Sequence, residues 1–186
     1  GVLLHDPDQL LTERGEAIYR ALDEVRAGGQ TLKIGVSVYG PAQLDALTPR
    51  FPVGLVQGPL NVLDRRLESS GWIERLEQAG VEFHARSAFL QGLLLMDEEE
   101  RPDRFHPWAP VFDSFESWRA GAGLSRVQAC VRYPLSVRSV ARVVVGVDGP
   151  EHLSGIIRDA TGPIPFFPSF VAGDERLLNP SLWSTL

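Results

Sequence analysis

Gly28-Gly29-Gln30-Thr31-Leu32-Lys33-Ile34-Gly35-Val36-Ser37-Val38 decides the fold. The glycine pair stops a helix, and the run from Leu32 to Val38 reads as a strand, apolar on both faces and carrying a serine near its end. Upstream, Ala17, Ile18, Ala21, Leu22 and Val25 recur at helical spacing within Glu13 to Arg26, with Thr12 as the expected N-cap. Downstream, Pro41 opens a second helix to Leu47, because its missing N–H is not needed at a first helical position.

The same alternation continues to the end of the chain. Strand-like runs at Val2 to Leu4, Leu55 to Gln57, Val81 to Ala85 and Val143 to Val147 are interleaved with further helical segments. Those helices are Trp72 to Ala79, stopped by Gly80, then Ser125 to Tyr133 and Pro150 to Ala160. Strands apolar on both faces and separated by helices pair in parallel and are covered by those helices, which predicts an α/β domain with five parallel strands.

With 186 residues, 44% hydrophobic and 23% charged, the chain is long enough for one domain with a substantial core. A formal net charge of −6 argues against binding a phosphate backbone by bulk electrostatics, so nucleic acid is not expected as a partner. The longest apolar stretch, Ala88 to Met96, is far short of the roughly 20 residues of a membrane span. The single cysteine, Cys130, excludes an internal disulfide and a multi-thiolate metal site; its apolar flanks predict a buried thiol, and a reducing, cytoplasmic location is the expectation. His84 and His106 are too isolated to form a metal cluster, and His84 is expected to pack inside its strand. The charged, proline-punctuated segment Asp97 to Phe112 is either a lid or a tolerated insertion. The tail from Gly162 to Leu186, with Phe166, Phe167, Phe170 and Trp183, reads as a strap packed on a helix surface.

Four stretches in order then carry a resemblance. They are Leu3-Leu4-His5-Asp6-Pro7; Ile34-Gly35-Val36-Ser37; Val56-Gln57 followed by Asn61 and Leu63-Asp64-Arg65-Arg66; and Ala85-Arg86-Ser87-Ala88-Phe89 leading into Gly92-Leu93-Leu94. The chain resembles the aldo-keto reductase family along nearly its whole length. The resemblance implies a partial (β/α)8 TIM barrel whose five strands are the fourth to eighth, so that residues 1–186 form a single domain lacking the first three βα units. Leu67 to Trp72 and Ser87 to Met96 look like the bacterial members associated with polysaccharide biosynthesis.

The resemblance further implies NAD(P)H-dependent carbonyl reduction. Of the family's catalytic tyrosine, lysine, aspartate and histidine, only the histidine has a counterpart, His5; Tyr19, Tyr39, Tyr133 and Lys33 fall elsewhere. At a strand end, where such barrels place their chemistry, an imidazole could hydrogen-bond a carbonyl oxygen as charge develops; alternatively, His5 is a structural residue joined to Asp6. Ser37 and Gln57 fall where the family holds the nicotinamide carboxamide, and their other roles would be capping and loop bonding. Val38 stands where an asparagine is common. Arg86 replaces a stacking aromatic residue and either stacks, pairs with the pyrophosphate or forms a salt bridge. Ser87, Phe89 and Gln91 begin the loop expected over the pyrophosphate. Gly146, Val147, Asp148 and His152 form the approach to a helix N-terminus suited to phosphate, although Asp148 as N-cap would oppose it, which argues against strong NADP selectivity.

Two functions follow. In one, the chain is part of a reductase for small carbonyl substrates, inactive alone and binding NADP or NAD weakly or not at all. In the other, it is a non-catalytic binding or assembly module, its open sheet edges covered by a complementing chain or a homo-oligomer.

Overall fold

The computed structural model describes residues 1–170 and 172–185, so Val171 and Leu186 of the tail lie outside the described residues. Among the described residues, five strands form a single parallel sheet in chain order: β1 (Val2–Leu4), β2 (Ile34–Ser37), β3 (Leu55–Pro59), β4 (Glu82–Arg86) and β5 (Val140–Val143). The register sets Leu3 opposite Gly35, Gly35 opposite Leu55 and Leu55 opposite Glu82. Two residues further on, Ser37 lies opposite Gln57 and Gln57 opposite His84.

The chain divides into two compact units. The first comprises Gly1–Pro59, Arg66–Arg86 and Ser139–Arg142, and the second Leu60–Arg65, Ser87–Arg138 and Val143–Leu186.

In the first unit, α1 (Gly15–Ala27), α2 (Pro41–Leu47), α3 (Arg66–Ser69) and α4 (Trp72–Gln78) connect the strands. Val36, Val56 and Phe83 are neighbours in the register and are buried on one face of the sheet. That face is the helix-covered one. A Cβ at Gly58 would stand 2.4 Å from Leu67 Cδ1 and 3.2 Å from Phe83 Cε2, so the glycine makes room for the Leu67 side chain of α3 against the sheet. Leu44, Leu47, Phe51, Ile73 and Leu76 complete the apolar layer, each contributing about 1.5–3 kcal/mol on burial.

In the second unit, α5 (Ala109–Gly121), α6 (Arg126–Ser136), α7 (Pro150–Ala160) and α8 (Glu175–Leu178) are held by aromatic packing. The Phe167 ring centre lies 5.1 Å from that of Trp118, tilted, and 5.2 Å from that of Tyr133, edge to face, and Phe170 meets Phe115 edge to face at 5.8 Å. Ser125 starts α6 in a capping box with Gln128. Arg132 is buried, 6% exposed, and its guanidinium donates to the carbonyls of Asp159, Thr161 and Pro163, and so closes the C-terminal end of α7 and fixes the start of the tail.

Four expectations are corrected. Helix α1 begins at Gly15 with Arg14 as N-cap, because Thr12 ends a preceding 3-10 turn over Pro7–Leu11 and donates its hydroxyl to Gln9 O. The last strand is Val140–Val143: the β-branched run is longer than one strand, pairing uses its first half, and Val144 and Val147 are left exposed. The segment Asp97 to Phe112 is largely turns and helix, with short 3-10 turns followed by α5. Phe166, at 85% exposed, takes no part in tail packing.

Candidate functional site

Side chains at the C-terminal ends of the parallel strands in the first unit form a polar row. Ser37 and Gln57 are cross-strand neighbours, and extending the β1 register by one residue sets His5 beside Ser37. Adjacent strands run about 4.8 Å apart, so these groups can reach one small ligand together. Ser37 is 5% exposed, yet its hydroxyl makes no hydrogen bond to another described residue. The side chains of Gln57 and His5 also have none among the described residues, and Asp6 accepts from Gln9 rather than from His5. Their donors and acceptors are accessible, since the buried side-chain atoms without a partner among the described residues are Arg86 Nε and Arg101 Nε, and this leaves the row free to bond water or a ligand.

Two flanking features hold the row's surroundings. Gln43 Nε2 donates to Asp8 at 2.9 Å, while its Oε1 accepts the Tyr39 N–H at 2.7 Å, tying the loops after β1 and β2. Arg86, at the end of β4, donates to Val38 O at 3.0 Å with its guanidinium 4.7 Å from the centre of the Tyr39 ring. Nothing local in the sequence marks Gln43 or Tyr39; both gain their roles from strand order.

In the second unit, the turn Ser87 to Gly92 is strained. Ser87, Leu90 and Gln91 have φ of 59°, 47° and 55°, a region in which non-glycine residues stay only where their surroundings force them. Here Leu90 is fully buried, and Ser87 O accepts from Leu90 N and from the Asn61 amide at 3.0 Å. Asn61 is itself fixed, its Oδ1 accepting from the N–H groups of Leu63 and Asp64. Phe89 is half-buried, and Gln91 is exposed at the tip.

Gly146, Val147 and Asp148 are exposed and lead into α7. The N-cap is Gly149, with Pro150 following and no side-chain cap. Asp148 therefore does not cap the helix, because proline lacks the first N–H and Asp148 lies one residue too early; its carboxylate stands 3.7 Å from His152 Nδ1. Among the described residues there is no group of His, Cys, Asp and Glu able to hold a metal ion, and no helix long and apolar enough to cross a membrane.

A cleft of 290 Å³ opens at the other end of β2 and β3, lined by Tyr19, Arg26, Lys33 and Pro52 among others. Its two cations are engaged, Arg26 with Asp23 at 2.6 Å and Lys33 with Glu82 at 2.8 Å. The cleft is also remote in register from Ser37 and Gln57, which makes the strand-end row the better candidate.

Five parallel strands with flanking helices form part of a barrel-type α/β fold, and comparison with known proteins names its family. The aldo/keto reductase family pattern matches residues 2–164, and the chain belongs to that family. No curated protein matches it. Among solved structures, an aldo-keto reductase from Bacillus halodurans in its apo form is similar at 18% identity and a TM-score of 0.69, over 97% of this chain and 60% of that one. Its holo form is similar at 18% and 0.66, over 94% and 62%. A glycerol dehydrogenase from Gluconobacter oxydans is similar at 23% and 0.64, over 88% and 54%. The chain thus spans about half to three-fifths of the length of the structures it matches.

Proposed function

We propose that the chain carries the cofactor-facing part of an NAD(P)H-dependent carbonyl reductase, its strands corresponding to the fourth to eighth of a complete barrel. The observation that carries this reading is the register of Ser37 against Gln57, two polar side chains side by side with their hydrogen-bonding capacity unused. A nicotinamide carboxamide has one acceptor and one amino group, and this pair supplies both complements. When bound, the cofactor supplies a hydride to a carbonyl carbon. His5, exposed at the end of β1, donates to the carbonyl oxygen as negative charge grows on it. The remaining family acid, the tyrosine with its lysine and aspartate, has no counterpart among these residues, so the 186-residue chain alone binds cofactor weakly and does not turn over.

Either NADP or NAD serves this reading; at the start of α7 the Asp148 carboxylate stands 3.7 Å from His152 Nδ1. The polysaccharide-synthesis subgroup and a cytoplasmic setting belong to the same proposal; the first rests on the wording of Ser87 to Met96, the second on a single buried thiol.

The test is binding of NADP+ and NAD+ to the purified chain, followed by nuclear magnetic resonance at millimolar ligand. Ser37→Ala and Gln57→Ala should each weaken both ligands. Binding untouched by either substitution overturns the assignment, and steady carbonyl-dependent NADPH oxidation by the chain alone overturns the predicted inactivity.

One observation favours a second reading, an assembly module. Val2 of the border strand β1 is exposed, as are Val144 beyond β5 and Leu153 and Ile157 on α7, and such borders attract a complementing chain or a second copy. Concentration-independent monomer behaviour in sedimentation would count against it.

A further inference from the structure

Glu82 bridges two basic groups. Lys33 Nζ lies 2.8 Å from its Oε1 and His84 Nε2 3.3 Å from its Oε2. On β4, exposure alternates so that Phe83 and Ala85 are buried against the helix-covered face, while Glu82, His84 and Arg86 point to the other. That other face is the one that carries Ser37 and Gln57, and His84 is the direct neighbour of Gln57. The polar row therefore continues through a histidine whose side chain is 19% exposed.

The ion chain governs how this imidazole presents itself. The hydrogen bond from Lys33, and then that from His84, hold the Glu82 carboxyl below its usual range, so Glu82 is an anion. A ring nitrogen facing a carboxylate is the donor, and where an imidazole holds a single proton its other nitrogen is then an acceptor. That nitrogen, Nδ1, has no hydrogen-bond partner among the described residues. A fastening role for Lys33 and Glu82 between β2 and β4 accounts for the first ion pair. It does not account for an oriented histidine beside Gln57 with a spare acceptor.

We propose that His84 is a further ligand-contacting residue, its Nδ1 accepting a hydrogen bond from the amino group of the nicotinamide carboxamide. Ser37 then serves the carboxamide oxygen, Gln57 takes one amino hydrogen and His84 the other. Glu82 and Lys33 act through His84 as positioning residues. The inference rests on the cofactor assignment made above for Ser37 and Gln57.

The test compares NADP+ with its 3-acetylpyridine analogue, in which a methyl group replaces the amino group, on the 186-residue chain and its variants. His84→Ala should weaken NADP+ about tenfold, the effect of one hydrogen bond in a partly buried site, and leave the analogue unchanged. Equal losses for both ligands, or none for either, overturn the proposal while leaving the cofactor assignment standing if Gln57→Ala still weakens NADP+. Absence of NADP+ binding by the unaltered chain overturns both. Should His84→Ala fail to fold, the ring nitrogens of the unaltered chain provide the second readout. The Nδ1 resonance of His84 should move on adding NADP+ and stay in place with the analogue; no movement with NADP+ overturns the proposal.

Discussion

Trp108 donates its indole N–H to Asp174 Oδ2 across 3.3 Å, joining the residue just before α5 to the N-cap of α8. The same carboxylate accepts from the side chain of Arg176 at 2.6 Å and from its backbone N–H at 3.0 Å. These contacts, the Arg176 side chain first, push the Asp174 carboxyl down to about 2 from 3.8. A carboxyl depressed in the folded state stabilises above its unfolded value and loses that contribution as pH falls through the folded one. Tryptophan fluorescence should therefore report loosening of the tail between about pH 4 and pH 2. Asp174→Asn should show the loosened signal at neutral pH and a smaller acid step; identical profiles for the two proteins would contradict this.

Cys130 should be inert. Burial pushes its thiol far up, and the thiolate is the reactive form. A thiol-specific reagent added to the folded protein at pH 8 should label Cys130 only at the rate of unfolding, so that labelling accelerates with denaturant. Rapid labelling without denaturant would show that α6 opens locally.

Replacing Arg132 by methionine keeps most of the apolar volume and removes three donated hydrogen bonds from the end of α7 and the tail. The expected loss is about 2–4 kcal/mol, since the carbonyls are left without their charged donor. A urea midpoint within error of the unaltered protein would refute this.

Gly35→Ala should be among the most damaging single changes in the first unit. A Cβ there would stand 1.9 Å from the Leu55 carbonyl oxygen, which is backbone and cannot rotate away. The loss should be about 3 kcal/mol, with the pairing of β2 and β3 disturbed and, on the proposed cofactor assignment, NADP+ binding weakened with it. Retained thermal stability together with retained binding would show that the two strands can separate without consequence.

The fold was readable from the sequence wherever local signals agreed. Pro41 and Pro150 mark helix starts that the structure reproduces, and the glycine pair at Gly28 closes α1 as expected. Legibility failed where one pattern had two physical outcomes. The run Val140 to Val147 has valines in both halves, so composition could not say which half pairs. Helix α5 was hidden because Pro110 near its start reads as a loop residue, and because its aromatic residues face more than one neighbour. The polar row shows the deeper limit. Ser37 and Gln57 were visible one at a time as polar strand ends, but His84 reads as a packed core residue until the register sets it beside Gln57. Register is a non-local property, carried here by the close approach of Gly35 to Leu55 rather than by any motif.

The side-chain amide of Gln43 has a consequence for motion. It donates to Asp8 with one end and accepts the Tyr39 N–H with the other, and so links the segments after β1 and β2. Movement of one segment away from the strand ends therefore either carries the other with it or breaks one of these two hydrogen bonds, so the loops are coupled through a single side chain.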